Sequence, residues 1–141
     1  MEGGALKSEY IDVYTDGSSK NNMGKDSAAG IAFYIPSLKI LRSRAIKGTN
    51  SIAELVAIDY ALWYCKTKLS KEKIHIFSDS MYAINVLSEK VGYKVNKELI
   101  EYIFKKIKSL DVKFTHVNGH AGIEYNEMVD KAAKEAIDKQ K

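Results

Sequence analysis

Four acids in this sequence fall where a carboxylate could do more than face water. Asp16 and Asp79 each close a short alternating stretch, YIDVYTD and KIHIFSD, while Glu54 and Asp130 sit beside apolar residues in helical patterns. The two aspartates read as last residues of strands, and the carboxyl ends of strands in mixed and parallel sheets are where ligand crevices open. At 100° per residue, Glu54 falls in line with Ile58, Ala61, Leu62 and Cys65, so it is partly desolvated. Asp130 lies at the edge of the stripe Met128, Val129, Ala132, Ala133 and Ile137. Each acid also has an ordinary role open to it. Aspartate is a common cap and turn former, Ser51-Ile52-Ala53-Glu54 matches a capping box, and Asp130 could pair with Lys131 or Lys134 on a helix surface.

Brought to one spot, the four would repel unless something neutralised them. All-oxygen ligation suits hard divalent ions, Mg²⁺ or Mn²⁺. Two such ions roughly 3.5–4 Å apart clamp an attacking water and a leaving oxygen, the arrangement for in-line phosphodiester cleavage. Periodicity does not by itself single out these four acids from the others.

The elements that must position them follow from pattern. Tyr10 to Asp16 alternates as a strand ending at Asp16-Gly17, and GSSKNNMGKDS reads as a turn. Ala28 to Ile35 is a second strand stopped by Pro36, and Leu38 to Ile46 a third, in an antiparallel meander. Ser51 to Leu69 is a helix capped by Asn50 or Ser51, apolar nearly all round and therefore expected to pack on both faces, with Tyr60, Trp63 and Tyr64 assigned to packing. Lys73 to Asp79 is a strand, Ser80 to Glu89 a short helix, Asn96 to Leu110 an amphipathic helix, Val112 to Val117 a strand, and Tyr125 to Asp138 the last helix. The order βββαβααβα demands an α/β fold, a five-stranded mixed sheet flanked by helices.

At 141 residues the chain fits one domain, 1–141, with 1–9 and 139–141 expected as flexible tails. Hydrophobic residues make up 45% and charged residues 28%, which excludes a disordered chain. The N-terminus MEGGALKSEY has no apolar signal region, and no uncharged apolar run is long enough for a membrane span. The single cysteine, Cys65, excludes an intrachain disulfide and a cysteine-based zinc site, so a reducing, cytoplasmic setting is expected; a monomer is expected as well. The net charge of +4, with lysines dense between Lys90 and Lys113, would attract a polyanionic partner, but such lysine density more often makes a solvated helix face.

Four motifs in order carry a resemblance: Tyr14-Thr15-Asp16-Gly17-Ser18; Thr49-Asn50 followed by Ala53-Glu54-Leu55; Ser78-Asp79-Ser80 with Tyr82; and Gly119-His120-Ala121-Gly122 followed by Asn126-Glu127 and Asp130. The chain resembles the type-1 ribonuclease H family, from about Tyr10 to Ile137. The resemblance implies a ribonuclease H-like fold and an endonuclease that cleaves the RNA strand of RNA/DNA hybrids with two Mg²⁺ ions, Mn²⁺ substituting. It implies 5′-phosphate and 3′-hydroxyl ends. Asp16 would bridge both ions, Glu54 and Asp79 would complete one site, and Asp130 the other. His120 would sit on a mobile loop near the scissile phosphate, a role that suits an imidazole titrating near neutral pH between glycines. His75 and His116 lie within strands, match no such role and read as structural.

Substrate contacts carry over at Thr49 and Asn50, at Gly17 where backbone approaches the RNA, and at Asn22 if the turn is aligned with a one-residue shift. Discrimination of RNA from DNA would rest on the 2′-hydroxyls. Ser51 and Met81 depart from the polar residues common in the family, and SEKVGYKVNKEL replaces the basic, tryptophan-containing protrusion of many members. Lys90, Lys94 and Lys97 are left as a residual basic edge, and no room is expected before Tyr10 for an N-terminal hybrid-binding module. Rival readings are the nuclease domain of a reverse transcriptase, a non-catalytic hybrid- or RNA-binding module, and a DNA exonuclease or recombinase on the same fold. The four acids oppose the second and the GHAG loop the third.

Overall fold

The computed structural model describes residues 9–21, 24, 26–118 and 124–139. Nine elements follow in the expected order: β1 (Ile11–Ser19), β2 (Ala28–Ile35), β3 (Ile40–Lys47), α1 (Asn50–Leu69), β4 (Lys73–Ser78), α2 (Met81–Leu87), α3 (Lys97–Lys108), β5 (Asp111–His116) and α4 (Glu124–Asp138). They build one sheet with strand order β3-β2-β1-β4-β5. The first three strands pair antiparallel, and β1, β4 and β5 pair parallel.

Alternation in β1 divides its side chains between two layers. Ile11 and Val13 turn to one face with Phe33, Ile35, Ile74 and Ile76, where α1, α2 and α3 cover them. Leu55, Ile58 and Leu62 of α1 are fully buried there, each worth about 1.5–3 kcal/mol of apolar transfer. On the opposite face α4 lays Val129, Ala132 and Ala133 against Ala32 and Tyr34. That helix comes so close that a Cβ on Gly30 would collide with the Ala133 carbonyl.

Three expectations are corrected. The first strand does not stop at Asp16-Gly17. Its parallel ladder with β4 ends at Thr15↔Ser78, but its antiparallel ladder with β2 continues through Asp16↔Ala32 to Ser19↔Ala29, so turn-like residues are held extended by their partner strand. The cap of α1 is Thr49, not Asn50 or Ser51: its hydroxyl accepts the Ile52 amide at 3.2 Å. And α1 is not packed on both faces, because Trp63 is 38% exposed beside a cleft to β3. Smaller shifts have local causes. Pro36 and a left-handed Lys39 delay β3 to Ile40, and Glu89, also left-handed, lies beyond the end of α2 at Leu87.

Candidate acidic metal site

Asp16 is the first residue of β1 past the end of the parallel ladder with β4, and Asp79 is the first residue after β4 itself. Adjacent parallel strands ending in step place these two side by side. The turn that carries Asp79 is pinned: Ser78 is fully buried, its hydroxyl accepts the Ser80 amide at 3.0 Å and its carbonyl accepts the Val117 amide at 2.9 Å. Ser80 then caps α2 by accepting the Ala83 amide at 3.1 Å. These serines stood in the sequence as motif residues without a role; the signal was the serine-flanked aspartate, a pattern that bonds its own backbone in turns.

Glu54 enters from α1. Its Oε1 accepts the Gly17 amide at 3.1 Å, so the carboxylate reaches across to β1 instead of closing a capping box. This contact needs a bare backbone, since a Cβ on Gly17 would strike the Ala53 backbone. A second tie runs alongside, from the Ser19 amide to Asn50 Oδ1 at 2.7 Å.

One carboxylate oxygen from each of Asp16, Glu54 and Asp79 lies within 4.8 Å of the others. Asp130 on α4 joins from the far side, close enough to share a hydrogen bond with Asp16, while its Oδ2 holds Lys134 Nζ at 3.1 Å. Of the two lysines open to Asp130 in the sequence, the one a full turn on is the partner. Asn126, one turn before Asp130, is buried.

Electrostatics follow from this crowding. Asp16 is 3% exposed, and burial, then the charges of Glu54 and Asp79, then Asp130, hold its carboxyl far above the usual range. Glu54 is pushed up by burial and by Asp79, against the opposing pull of the Gly17 amide. Among the described residues no lysine, arginine or histidine forms an ion pair with Asp16, Glu54 or Asp79. An all-oxygen set, with Asp16 buried and Glu54 and Asp79 partly exposed, and with no cation from the described residues, is the donor chemistry a hard divalent ion requires.

The structure thus brings together all four acids singled out in the sequence. Gly17, Thr49 and Asn50 border them, already engaged in the bonds above. His120 and Asn22 lie outside the described residues.

Residues 8–138 match the RNase H family. A "Ribonuclease H" of Clostridium botulinum is 34% identical over 144 residues, covering 89% of this chain and 94% of that one. Human "Ribonuclease H1" is 30% identical over 143 residues, covering 90% of this chain but 50% of that longer protein. Among solved structures, LC11-RNase H1 in complex with RNA/DNA hybrid superposes with a TM-score of 0.75 at 27% identity, covering 92% of this chain and 97% of that one. Sheet order, flanking helices and acid cluster together define a ribonuclease H-like α/β protein. The chain belongs to the RNase H family and is a hydrolytic ribonuclease.

Proposed function

We propose that the protein hydrolyses the RNA strand of RNA/DNA hybrids endonucleolytically with two Mg²⁺ ions, which Mn²⁺ can replace, leaving 5′-phosphate and 3′-hydroxyl ends. The observation that carries this is the trio of carboxylate oxygens within 4.8 Å of one another, centred on the buried Asp16 and without an ion-paired cation among the described residues. The hybrid-bound LC11-RNase H1 supports the choice of substrate.

Asp16 is assigned the shared ligand position because its carboxyl feels all three other acids. Glu54 and Asp79 would complete one site with it, and Asp130 the other. Bound there, divalent cations would supply charge neutralisation and a water made nucleophilic near neutral pH. The chain's own part is positioning. The Gly17 amide fixes the Glu54 carboxylate, the serine-pinned turn fixes Asp79, and Lys134 steadies Asp130. His120 is assigned the proton on the departing 3′-oxygen, as an imidazole that exchanges protons near neutral pH. Gly17, Asn22, Thr49 and Asn50 are assigned to the hybrid, with the 2′-hydroxyls distinguishing the strand to be cut.

The test is a substrate panel: end-labelled RNA/DNA hybrid, single-stranded RNA, duplex RNA and duplex DNA, each with Mg²⁺. Cleavage confined to the RNA of the hybrid, with products that a kinase cannot phosphorylate until phosphatase has acted, is the expected result. Cleavage of duplex DNA, or none of any substrate, refutes the assignment.

A further inference from the structure

The exposed side of α1 faces a cleft of about 340 Å³, within the range of ligand clefts, about 300–1,000 Å³. It lies between β3, α1 and α3 and is lined by Arg44, Ile46, Tyr60, Trp63, Tyr102 and Lys106 among others. Two of its aromatic rings face water, Trp63 at 38% and Tyr102 at 52% exposure. Trp63 and Tyr60 stack at 6.2 Å with an interplanar angle of 18°.

Cations surround these rings. The Arg44 guanidinium lies 4.9 Å over Tyr60 and Lys68 Nζ lies 5.6 Å over Trp63, while Arg42, two residues before Arg44 on β3 and outside the lining, lies 5.7 Å over Tyr64. No carboxylate forms an ion pair with Arg42, Arg44 or Lys68 among the described residues. The acid that lines the cleft, Asp59, is already neutralised. Its Oδ1 sits 2.7 Å from Lys106 Nζ, off the angle of a hydrogen bond, so the attraction is between charges. The cleft therefore presents flat apolar faces beside unneutralised positive charge. A duplex could use the charge, but its bases are stacked inside and cannot use the rings. A single strand uses both, phosphates on the arginines and bases on the aromatic faces.

We propose that this cleft is a second nucleic-acid contact, which holds a single-stranded segment with its bases against Trp63 and Tyr102 and its phosphates on Arg42 and Arg44. Trp63 lies two and a half helical turns from Glu54, roughly 14 Å along α1, so the cleft is within a few nucleotides of the acids. It suits the unpaired strand that continues beyond a hybrid. That last step rests on the hydrolytic reading above; strand binding by the cleft does not.

The sole tryptophan of the chain makes the test local. Trp63 fluorescence is followed in EDTA while oligo(dT) of about a dozen nucleotides, within the usual single-strand site sizes, is added, with poly-glutamate as the parallel titrant. The expected result is quenching by oligo(dT) alone. Binding should weaken as salt rises and fall about tenfold or more in Arg42→Glu/Arg44→Glu, since each lost phosphate contact lowers the salt slope by about 0.7. No quenching, quenching by poly-glutamate instead, or quenching unaltered in the double variant overturns the proposal. Both arginines are exposed on an edge strand, so the variant should keep the wild-type circular dichroism. On hybrids the same variant should raise KM for substrates with a single-stranded overhang and leave blunt hybrids unchanged; an equal change in both also overturns it. If the wild type cleaves no hybrid, the hydrolytic reading fails while the fluorescence result still decides the cleft.

Discussion

The Gly17 amide donates to Glu54 Oε1 at 3.1 Å, joining the strand that carries Asp16 to the helix that carries Glu54. The bond forms only because nothing separates Gly17 from the Ala53 backbone, where a methyl group would collide. Gly17→Ala should therefore push α1 from β1, costing about 1–3 kcal/mol as overpacking does, and should lower hydrolysis more than hundredfold, as a misplacement of about 1 Å can. Urea denaturation and initial rates on a hybrid check both. Wild-type values in each would show that the close approach is unimportant.

Burial and mutual repulsion raise the carboxyls of Asp16 and Glu54 above their ordinary range. Without metal, the folded chain keeps protons that the unfolded chain releases near pH 4 or so. The native state then binds more protons than the unfolded one, so stability falls as pH rises above that point. Metal-free protein should be more stable to urea at about pH 5.5 than at about pH 8. Asp16→Asn should remove much of that slope and stabilise the metal-free chain at the higher pH by roughly 1–2 kcal/mol, on the scale of about 1.4 kcal/mol per pKa unit. Mg²⁺ should stabilise the wild type by mass action and leave Asp16→Asn nearly unmoved. A stability that climbs with pH in EDTA would contradict the repulsion.

Lys90, Lys94 and Lys97 are exposed on and beside the short connection into α3. As the residual basic edge they should act on binding and leave the chemical step alone. Charge reversal at all three should raise KM for hybrid several-fold at low salt, with kcat kept and the effect shrinking as salt screens it. An unchanged KM removes them from the interface.

Much of this was legible because each element carries its own period. Alternation marked Tyr10 to Asp16 as a strand, and the placement of Glu54 in line with Ile58, Leu62 and Cys65 marked it as an inward acid. What failed were choices that depend on partners. Thr49, Asn50 and Ser51 are all competent caps, and the one whose hydroxyl meets a free helix amide, that of Ile52, is Thr49. Gly17-Ser18-Ser19 has turn composition, yet the ladder to β2 keeps it extended. Trp63 fits an apolar helix, but whether a neighbour covers that side is a tertiary fact, and β3 presents arginines there. The approach of Asp130 to Asp16 spans most of the chain, and no periodicity reports it. Only the motif order pointed to it.

Asp16, Glu54, Asp79 and Asp130 are proposed to act together through divalent metal on an RNA/DNA hybrid. The most direct measurement is the rate of RNA-strand cleavage in a labelled hybrid against Mg²⁺ concentration, for the wild type and for Asp16→Asn, Glu54→Gln, Asp79→Asn and Asp130→Asn. The wild type should depend on Mg²⁺, be silenced by EDTA and resume on adding excess Mg²⁺ or Mn²⁺. Each variant should lose on the order of 10³-fold or more, as removal of one member of an interdependent set does, while still unfolding cooperatively in urea. Wild-type cleavage that persists in EDTA, or folded variants that cut at the wild-type rate, would contradict the account.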